Sequence, residues 1–345
     1  MSDIDIRIEG RAGRITLTRP QALNALTYDM CLAIDAALKT WRDDPAVALV
    51  LIDAIGPRAF CSGGDIAEMY ATGMAGDFSY GRQFWRDEYR MNARLFEFPK
   101  PTVSFLHGYT MGGGVGIGCH AGLRIVGESA QIAMPECGIG LVPDVGGSML
   151  LARAPGRLGE YLGVTGHRMG PADAIHAGFA DIFVPEAGWE AAKRAMIESG
   201  TAAIDGAPLP PGRLAGLQDE IDRHFAGETI GDIVRSLRAV PGDFARETLS
   251  VLARQSPLSM ACTVEMLHRL GEAPGIRQAL GMEYRFTYRS MEHGDFLEGI
   301  RAAIIDKDRT PRWRHAGPEA VPAVAVSRML MPLGRDALAF EEDAA

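Results

Sequence analysis

The sequence contains no CxxC pair, no internal repeat, no low-complexity tract and no apolar run long enough to span a membrane. Each absence removes a class. The five cysteines (Cys31, Cys61, Cys119, Cys137 and Cys262) are odd in number and widely spaced. That argues against a disulfide framework or a structural zinc site and fits a reducing compartment. Small buried hydrophobes are the expected role for such thiols. The opening residues, Met1 to Asp5, lack a basic stretch followed by an apolar one, so no secretory leader is read there. With about 20 consecutive apolar residues needed to cross a bilayer and none present, a soluble, cytoplasmic protein is the expectation, with no membrane partner. Positive charge is also scarce. Thirty-five Lys and Arg face 44 Asp and Glu, a formal net charge of −9, which argues against nucleic acid as a partner. An anionic small molecule is not excluded by it, because a few local N–H groups and basic residues can hold phosphates. His107 and His120 have no second histidine at i+4, so hydrogen-bonded structural histidines are expected and no metal site is read.

What is present is a chain of 345 residues, 47% hydrophobic and 23% charged, ordinary for a globular enzyme and long enough to bury a sizeable core. Its organising stretch runs from His107 to Gly147. The β-branched and apolar run Thr102 to Leu106 reads as a short buried strand feeding it. Gly112, Gly113 and Gly114 follow, then Gly116 and Gly118. Consecutive glycines are a poor way to continue a strand or helix, since each loses backbone entropy on folding. They make sense where bare backbone must approach a ligand and offer N–H groups, as at a helix start. An oxyanion hole is one reading, and a tight turn packed against a sheet is the other. Two acids shift the balance. Glu136 follows Met134 and Pro135, and Asp144 follows Pro143, both in Gly/Pro-punctuated, otherwise apolar sequence. Carboxylates placed there are costly to bury unless they are paired or used.

Along the chain, alternation over residues 4–8 and 14–18 predicts an opening β-hairpin across a Gly10-to-Gly13 turn. Thr27 reads as the N-cap of a helix to about Trp41. Val47 to Ile52 is a continuous apolar strand, and Ala59 to Ile66 is a strand end turning into a helix, a second place with free N–H groups. Helices are expected over 81–97, 152–163, 171–177 and 187–199, with a strand over 182–184. Residues 201–213, rich in Ala, Pro and Gly, are the best linker candidate between a core over 1–200 and a helical region over 214–345. The expected fold class is therefore α/β with a helical C-terminal part.

Two tempting motifs fail. Gly116, Gly118 and Ala121 satisfy G-x-G-x-x-A, but Gly108 to Val115 intervene between strand and glycines, which is wrong for a dinucleotide site. A serine-hydrolase elbow around Ser62 would need glycine at Phe60.

Taken together, several segments resemble the crotonase (enoyl-CoA hydratase/isomerase) superfamily. They are Ala22 to Leu26, Ala59 to Ile66, His107 to Tyr109 with Gly112 to Gly114, Thr165-Gly166 and Ala177-Gly178, in that order. Within it, the chain is most similar to the 3-hydroxyisobutyryl-CoA hydrolase family. Met134 to Glu136, Gly140 to Gly147, Met282 to Arg285, Gly299 to Ala302, Ile305 to Asp308 and Pro311 to Trp313 carry that likeness. It spans about residues 10 to 315. The resemblance implies a crotonase-like spiral of ββα repeats and a thioester carbonyl held by the amides of Gly64 and Gly113. It implies catalysis by Glu136, as nucleophile or base, with Asp144 orienting it or the substrate. Glu88 matches a substrate-facing position, and its alternative is a solvated helix acid paired with Arg86 or Arg90. Coenzyme A is expected over Leu23, Ala25, Phe60, Gly63, Asp65 and Ile66, as part of the substrate, with no separate cofactor. Lys307 is a candidate for its phosphates or simply a surface lysine. The hydratase pattern has a glutamate where Gly116 stands, so the implied activity is hydrolysis of 3-hydroxyisobutyryl-CoA in valine breakdown. An enoyl-CoA hydratase or isomerase of the same fold, and a non-catalytic acyl-CoA binder, are the alternatives. The sequence leaves a homo-oligomer open.

Overall fold

The computed structural model describes residues 3–340. It has the expected α/β layout, with ββα turns first and helices after. The chain gathers into two compact units, each drawn from three separate stretches. One comprises Met1–Asp65, Asp87–Ala133 and Arg168–Ala215, and the other Ile66–Arg86, Met134–His167 and Gly216–Ala345.

The first unit holds all nine strands of the described residues. They are β1 (Ile4–Glu9), β2 (Ala12–Leu17), β3 (Leu49–Ala54), β4 (Ala59–Cys61), β5 (Thr102–Leu106), β6 (Tyr109–Met111), β7 (Leu123–Val126), β8 (Gln131–Ala133) and β9 (Ile182–Phe183). Six form a sheet in the order β1-β2-β3-β5-β7-β9, and β4-β6-β8 form a smaller parallel one. The β1–β2 pair is antiparallel, and its turn is shorter than the sequence predicts. Ala12 and Gly13 belong to the strand, pairing with Glu9 and Ile8. Gly13 is needed there because a Cβ would lie 2.5 Å from the Trp41 ring.

From β2 onward the large sheet is parallel. Its central strand β5 is buried along its whole length, which explains the unbroken apolar run in the sequence. One face packs Leu49, Leu51, Val103, Phe105 and Ile125 against Trp189, Met196 and Ile197 of the helix Trp189–Ser199. The helix Tyr28–Trp41 begins as expected, with the Thr27 hydroxyl accepting from the Met30 amide. His107 and His120 are both buried. The first shares a hydrogen bond with the Gly56 carbonyl at 2.6 Å and the second sits edge-on to Phe96, consistent with structural roles.

The second unit is helical, with Pro257–Leu270 and Ile276–His293 its longest complete members. Thr229 and Ser256 cap their helices with side-chain oxygens, and Pro257 occupies the first turn. The single helix expected over 152–163 is two, Gly147–Ala152 and Leu158–Thr165. Pro155 cannot donate into a continuing helix, and Gly156 takes φ +54°.

Asp53 on β3 is a polar pin in the first unit. It is 3% exposed and accepts from Thr16 at 2.7 Å and Arg14 at 2.7 Å, with the Lys193 ammonium at 3.0 Å. Burial pushes its carboxyl up, but the two cations and their hydrogen bonds outweigh this and hold it below the usual range. A depressed carboxyl contributes stability above the unfolded value of about 3.9, lost as pH falls through the lower folded one. Asp53→Asn should therefore cost about 1–3 kcal/mol in urea denaturation at neutral pH, because Lys193 and Arg14 lose their buried counter-charge and keep only Glu190 and Glu9, each at 3.0 Å. Its stability should also depend less on pH in the acid range than that of the wild type. An unchanged urea midpoint would refute the pin.

Candidate active site

The turn after β4 is tied to the segment before the first helix. Leu23 and Asn24 both adopt left-handed backbone, with φ of 53° each, which is costly for side-chain-bearing residues. Asn24 explains why the strain persists. It is 1% exposed, its Oδ1 accepts from the Arg19 amide at 2.9 Å, and its Nδ2 donates to the carbonyls of Ile55 and Ala59 at 3.0 and 2.9 Å. Three backbone bonds then lock this segment to the turn. Ser62 N–H donates to Leu23, Leu26 N–H to Gly63, and Asp65 N–H to Leu26. That pattern leaves the amide of Gly64 out, and no backbone carbonyl among the described residues accepts from it.

Against this turn lies the glycine helix, Gly113–Gly118. Gly112 before it has φ 48° and ψ −120°, a conformation open to glycine alone. A Cβ on Gly114 would lie 2.2 Å from the Cys61 carbonyl oxygen, so the two backbones pack with no room for a side chain. A Cβ on Gly113 would meet Glu88 Oε1 at 3.1 Å and the Gly64 nitrogen at 3.2 Å. Gly64, Gly113 and Glu88 thus share one small space. The amide of Gly113, like that of Gly64, has no backbone acceptor among the described residues. Two such amides side by side are what an anion developing on a carbonyl oxygen needs.

Glu88 is 4% exposed, so the solvated-acid alternative does not hold. Arg90 pairs with Asp87 at 3.5 Å, and Arg86 bonds Gln83 at 3.1 Å. Phe60 is fully buried, whereas Leu23, Ala25, Gly64, Asp65 and Ile66 are half-buried. The Phe60 ring packs on Gly118, at 2.8 Å from where a Cβ would be. Asp65 is held by Arg19 at 2.8 Å. Cys61 is no nucleophile, since burial pushes its thiol up to about 12.

In the second unit, Glu136 opens a short 3₁₀ turn, Glu136–Ile139, closed by Gly140 at φ 75°. Later chain fixes this turn. Ser256 N–H donates to the Cys137 carbonyl at 2.9 Å, while its hydroxyl donates to Asp295 at 2.7 Å. Gly140 and Gly299 allow contacts no side chain would fit, with Cβ positions 2.5 Å from the Asp295 carbonyl and 2.0 Å from that of Ile139. The carboxyl of Glu136 is 4% exposed as a residue, and its Oε2 has no hydrogen-bond partner. Burial raises its proton affinity well above the usual carboxylate range, and the charges of Asp144 and Glu283 push the same way.

Asp144 is also 4% exposed and accepts the Gly147 amide on its backbone carbonyl at 2.7 Å. Behind it lies a residue whose role is not apparent from its sequence context. Glu283, fully buried on the Ile276–His293 helix, takes Gly146 N–H at 2.8 Å on Oε2. Its Oε1 takes Ser148 N–H at 3.0 Å and the Ser148 hydroxyl. Burial pushes its carboxyl up to about 8, although these donors pull the other way. Within the second unit the fold thus brings Glu136 and Asp144 together with Glu283. Within the first it brings Gly64, Gly113 and Glu88 together beside the Leu23–Leu26 segment. In the sequence Asn24 and Glu283 stand only inside motifs, Ala22 to Leu26 and Met282 to Arg285, with no role of their own. The available signal was a buried-type acid in helical sequence at Glu283, and an Asn between apolar residues at Asn24. Lys307 is exposed, with φ 57°.

The family model for enoyl-CoA hydratase/isomerase matches residues 12–330. A curated 3-hydroxyisobutyryl-CoA hydrolase, mitochondrial, from Gallus gallus is 35% identical over 98% of this chain and 91% of its own length. A solved enoyl-CoA hydratase from Rhodobacter sphaeroides 2.4.1 is 62% identical, with TM-score 0.96, over 98% of this chain and 100% of that one. A solved carnitinyl-CoA dehydratase from Mycobacterium thermoresistibile is 38% identical, TM-score 0.93, over 99% of both. Two expectations are corrected. The 62% identity to a protein described as a hydratase overturns the reading of 3-hydroxyisobutyryl-CoA hydrolysis, and with it the argument from Gly116. The mitochondrial designation of the Gallus gallus relative overturns the expected cytoplasmic location.

Gly114→Ala tests the packing of the glycine helix on the turn. With a methyl 2.2 Å from a backbone oxygen, neither side can yield by a rotamer change. Stability should fall by about 1–3 kcal/mol in urea denaturation, the usual cost of overpacking. A variant as stable as the wild type would show that the two backbones are not held together this closely.

Proposed function

We propose, starting from the fact that the chain belongs to the enoyl-CoA hydratase/isomerase family, that it adds water across the double bond of an enoyl-CoA thioester. The observation that carries this reading is the Glu136–Asp144 pair. Glu136 is buried, lacks a partner on Oε2 and has its proton affinity raised by burial and by the charge on Asp144. Two carboxyl groups in one dry setting, one of them held protonated, can act as acid and base in the same reaction. The absence of a glutamate at Gly116 then matters less, because Asp144 supplies the second carboxyl.

The chemistry runs as follows. Asp144 takes a proton from water as its oxygen bonds to C3 of the enoyl group. The electrons of the C2=C3 bond move onto the thioester, whose oxygen gains negative charge. Such a charge calls for backbone amides, and Gly64 and Gly113 of the first unit offer two without backbone acceptors among the described residues. Glu136 delivers its proton to C2, completing the 3-hydroxyacyl-CoA, and the pair regains its starting protonation through solvent. Coenzyme A is assigned to Leu23, Ala25, Gly63, Asp65 and Ile66, with Phe60 supporting the turn from inside. Glu88, beside Gly113, bounds the acyl end.

Incubation with crotonyl-CoA should bleach the enoyl-thioester absorbance without releasing free thiol. Glu136→Gln should lower this rate by at least ~10²–10⁴-fold while acyl-CoA still binds. Because the acid works only while it keeps its proton, kcat should fall as pH rises through the ionisation of Glu136. Steady thiol release from 3-hydroxyisobutyryl-CoA, with crotonyl-CoA left untouched, would overturn the proposal.

A further inference from the structure

Glu283 takes no part in the reaction proposed above, yet it is wholly buried, and burying a carboxyl costs more than burying an apolar side chain of the same size. Its three donors all come from one short loop. Gly146 N–H binds one oxygen, and Ser148 N–H and hydroxyl bind the other, so the carboxyl group brackets Gly147 from both sides. The residue just before this bracket, Val145, has φ 54°. A β-branched side chain is badly suited to left-handed backbone, and only surrounding contacts can keep it there. The residue before that is Asp144.

We propose that Glu283 is a positioning residue: its grip on Gly146 and Ser148 holds Val145 in its strained turn and so fixes Asp144 beside Glu136. The role rests on the reading of Glu136 and Asp144 as the reacting pair. The loop is short enough that each element constrains the next. Gly147 N–H donates back to the Asp144 carbonyl at 2.7 Å, closing a tight turn around Val145 and Gly146. Freed of the carboxyl group, Val145 relaxes toward negative φ, and the Asp144 backbone rotates with it. Glu283 itself never meets the substrate.

Three variants test this on the full-length protein with crotonyl-CoA. Glu283→Gln keeps shape and volume but cannot accept on both sides, since its amide nitrogen is a donor. Its kcat should fall roughly 10–100-fold with KM within about threefold of wild type, the pattern of a misplaced reacting group. Ser148→Ala, which removes one donor and leaves the carboxyl in place, should fall less, and it serves if the Gln variant does not fold. The decisive variant is Val145→Gly in the Glu283→Gln background. Glycine takes φ 54° without strain, so kcat should recover several-fold. A purely structural Glu283 would lower the unfolding midpoint but leave kcat of the folded enzyme intact, and Val145→Gly would not raise it. Either result sinks the positioning role. Failure of the parent reading shows differently, as a wild-type enzyme with no Glu136-dependent hydration.

Discussion

Three carboxyl groups with almost no water around them set the terms for the second unit. Glu136, Asp144 and Glu283 are each at least 96% buried, and the charge of one raises the proton affinity of another. Full ionisation of such a group would be prohibitive, so the structure divides the load. The proton affinity of Glu136 is raised, and Glu283 is surrounded by donors. The glycines at 140, 146 and 299 and the polar contacts of Ser256 and Asp295 all serve to keep that arrangement closed. Burial and neighbouring charge together push Glu136 toward holding its proton.

Legibility in the sequence follows the range of the interaction. Thr27 caps its helix through an amide three residues away, and the cap was readable. The glycine triplet was readable because glycine's use is local: a backbone conformation at Gly112 and a forbidden Cβ at Gly114. Glu136 and Asp144 stood out as acids in apolar surroundings. Glu88 could be read two ways, since a helix acid between arginines looks solvated until the fold buries it. Asn24 and Glu283 were opaque. The first bonds to carbonyls 31 and 35 residues on, and the second to an amide 137 residues back. Nothing in their immediate neighbours reports those partners. The split of the 152–163 helix was legible in principle, for Pro155 and Gly156 are both helix breakers.

The misreading of the reaction has a physical lesson. In the sequence, Gly116 implies that a second carboxyl is missing, because the hydratase pattern has one at that place. Proton chemistry, however, requires a group at a place in space. Asp144, on a different loop, adds to burial in raising the proton affinity of Glu136.

The way the Glu136 turn is held also fixes when it can form. Its clamps are Ser256, Asp295 and Gly299, more than a hundred residues downstream, whereas the glycine helix and the Cys61 turn it packs on are made of chain already emerged by residue 118. During synthesis the Cys61 turn and the glycine helix are therefore made long before the segments that clamp the Glu136 turn. A nascent chain stopped short of residue 299 carries Glu136 without the Gly299 contact that helps to fix its turn. Closing loops of that length is entropically costly and slow, so the last helices decide when the polypeptide becomes an enzyme.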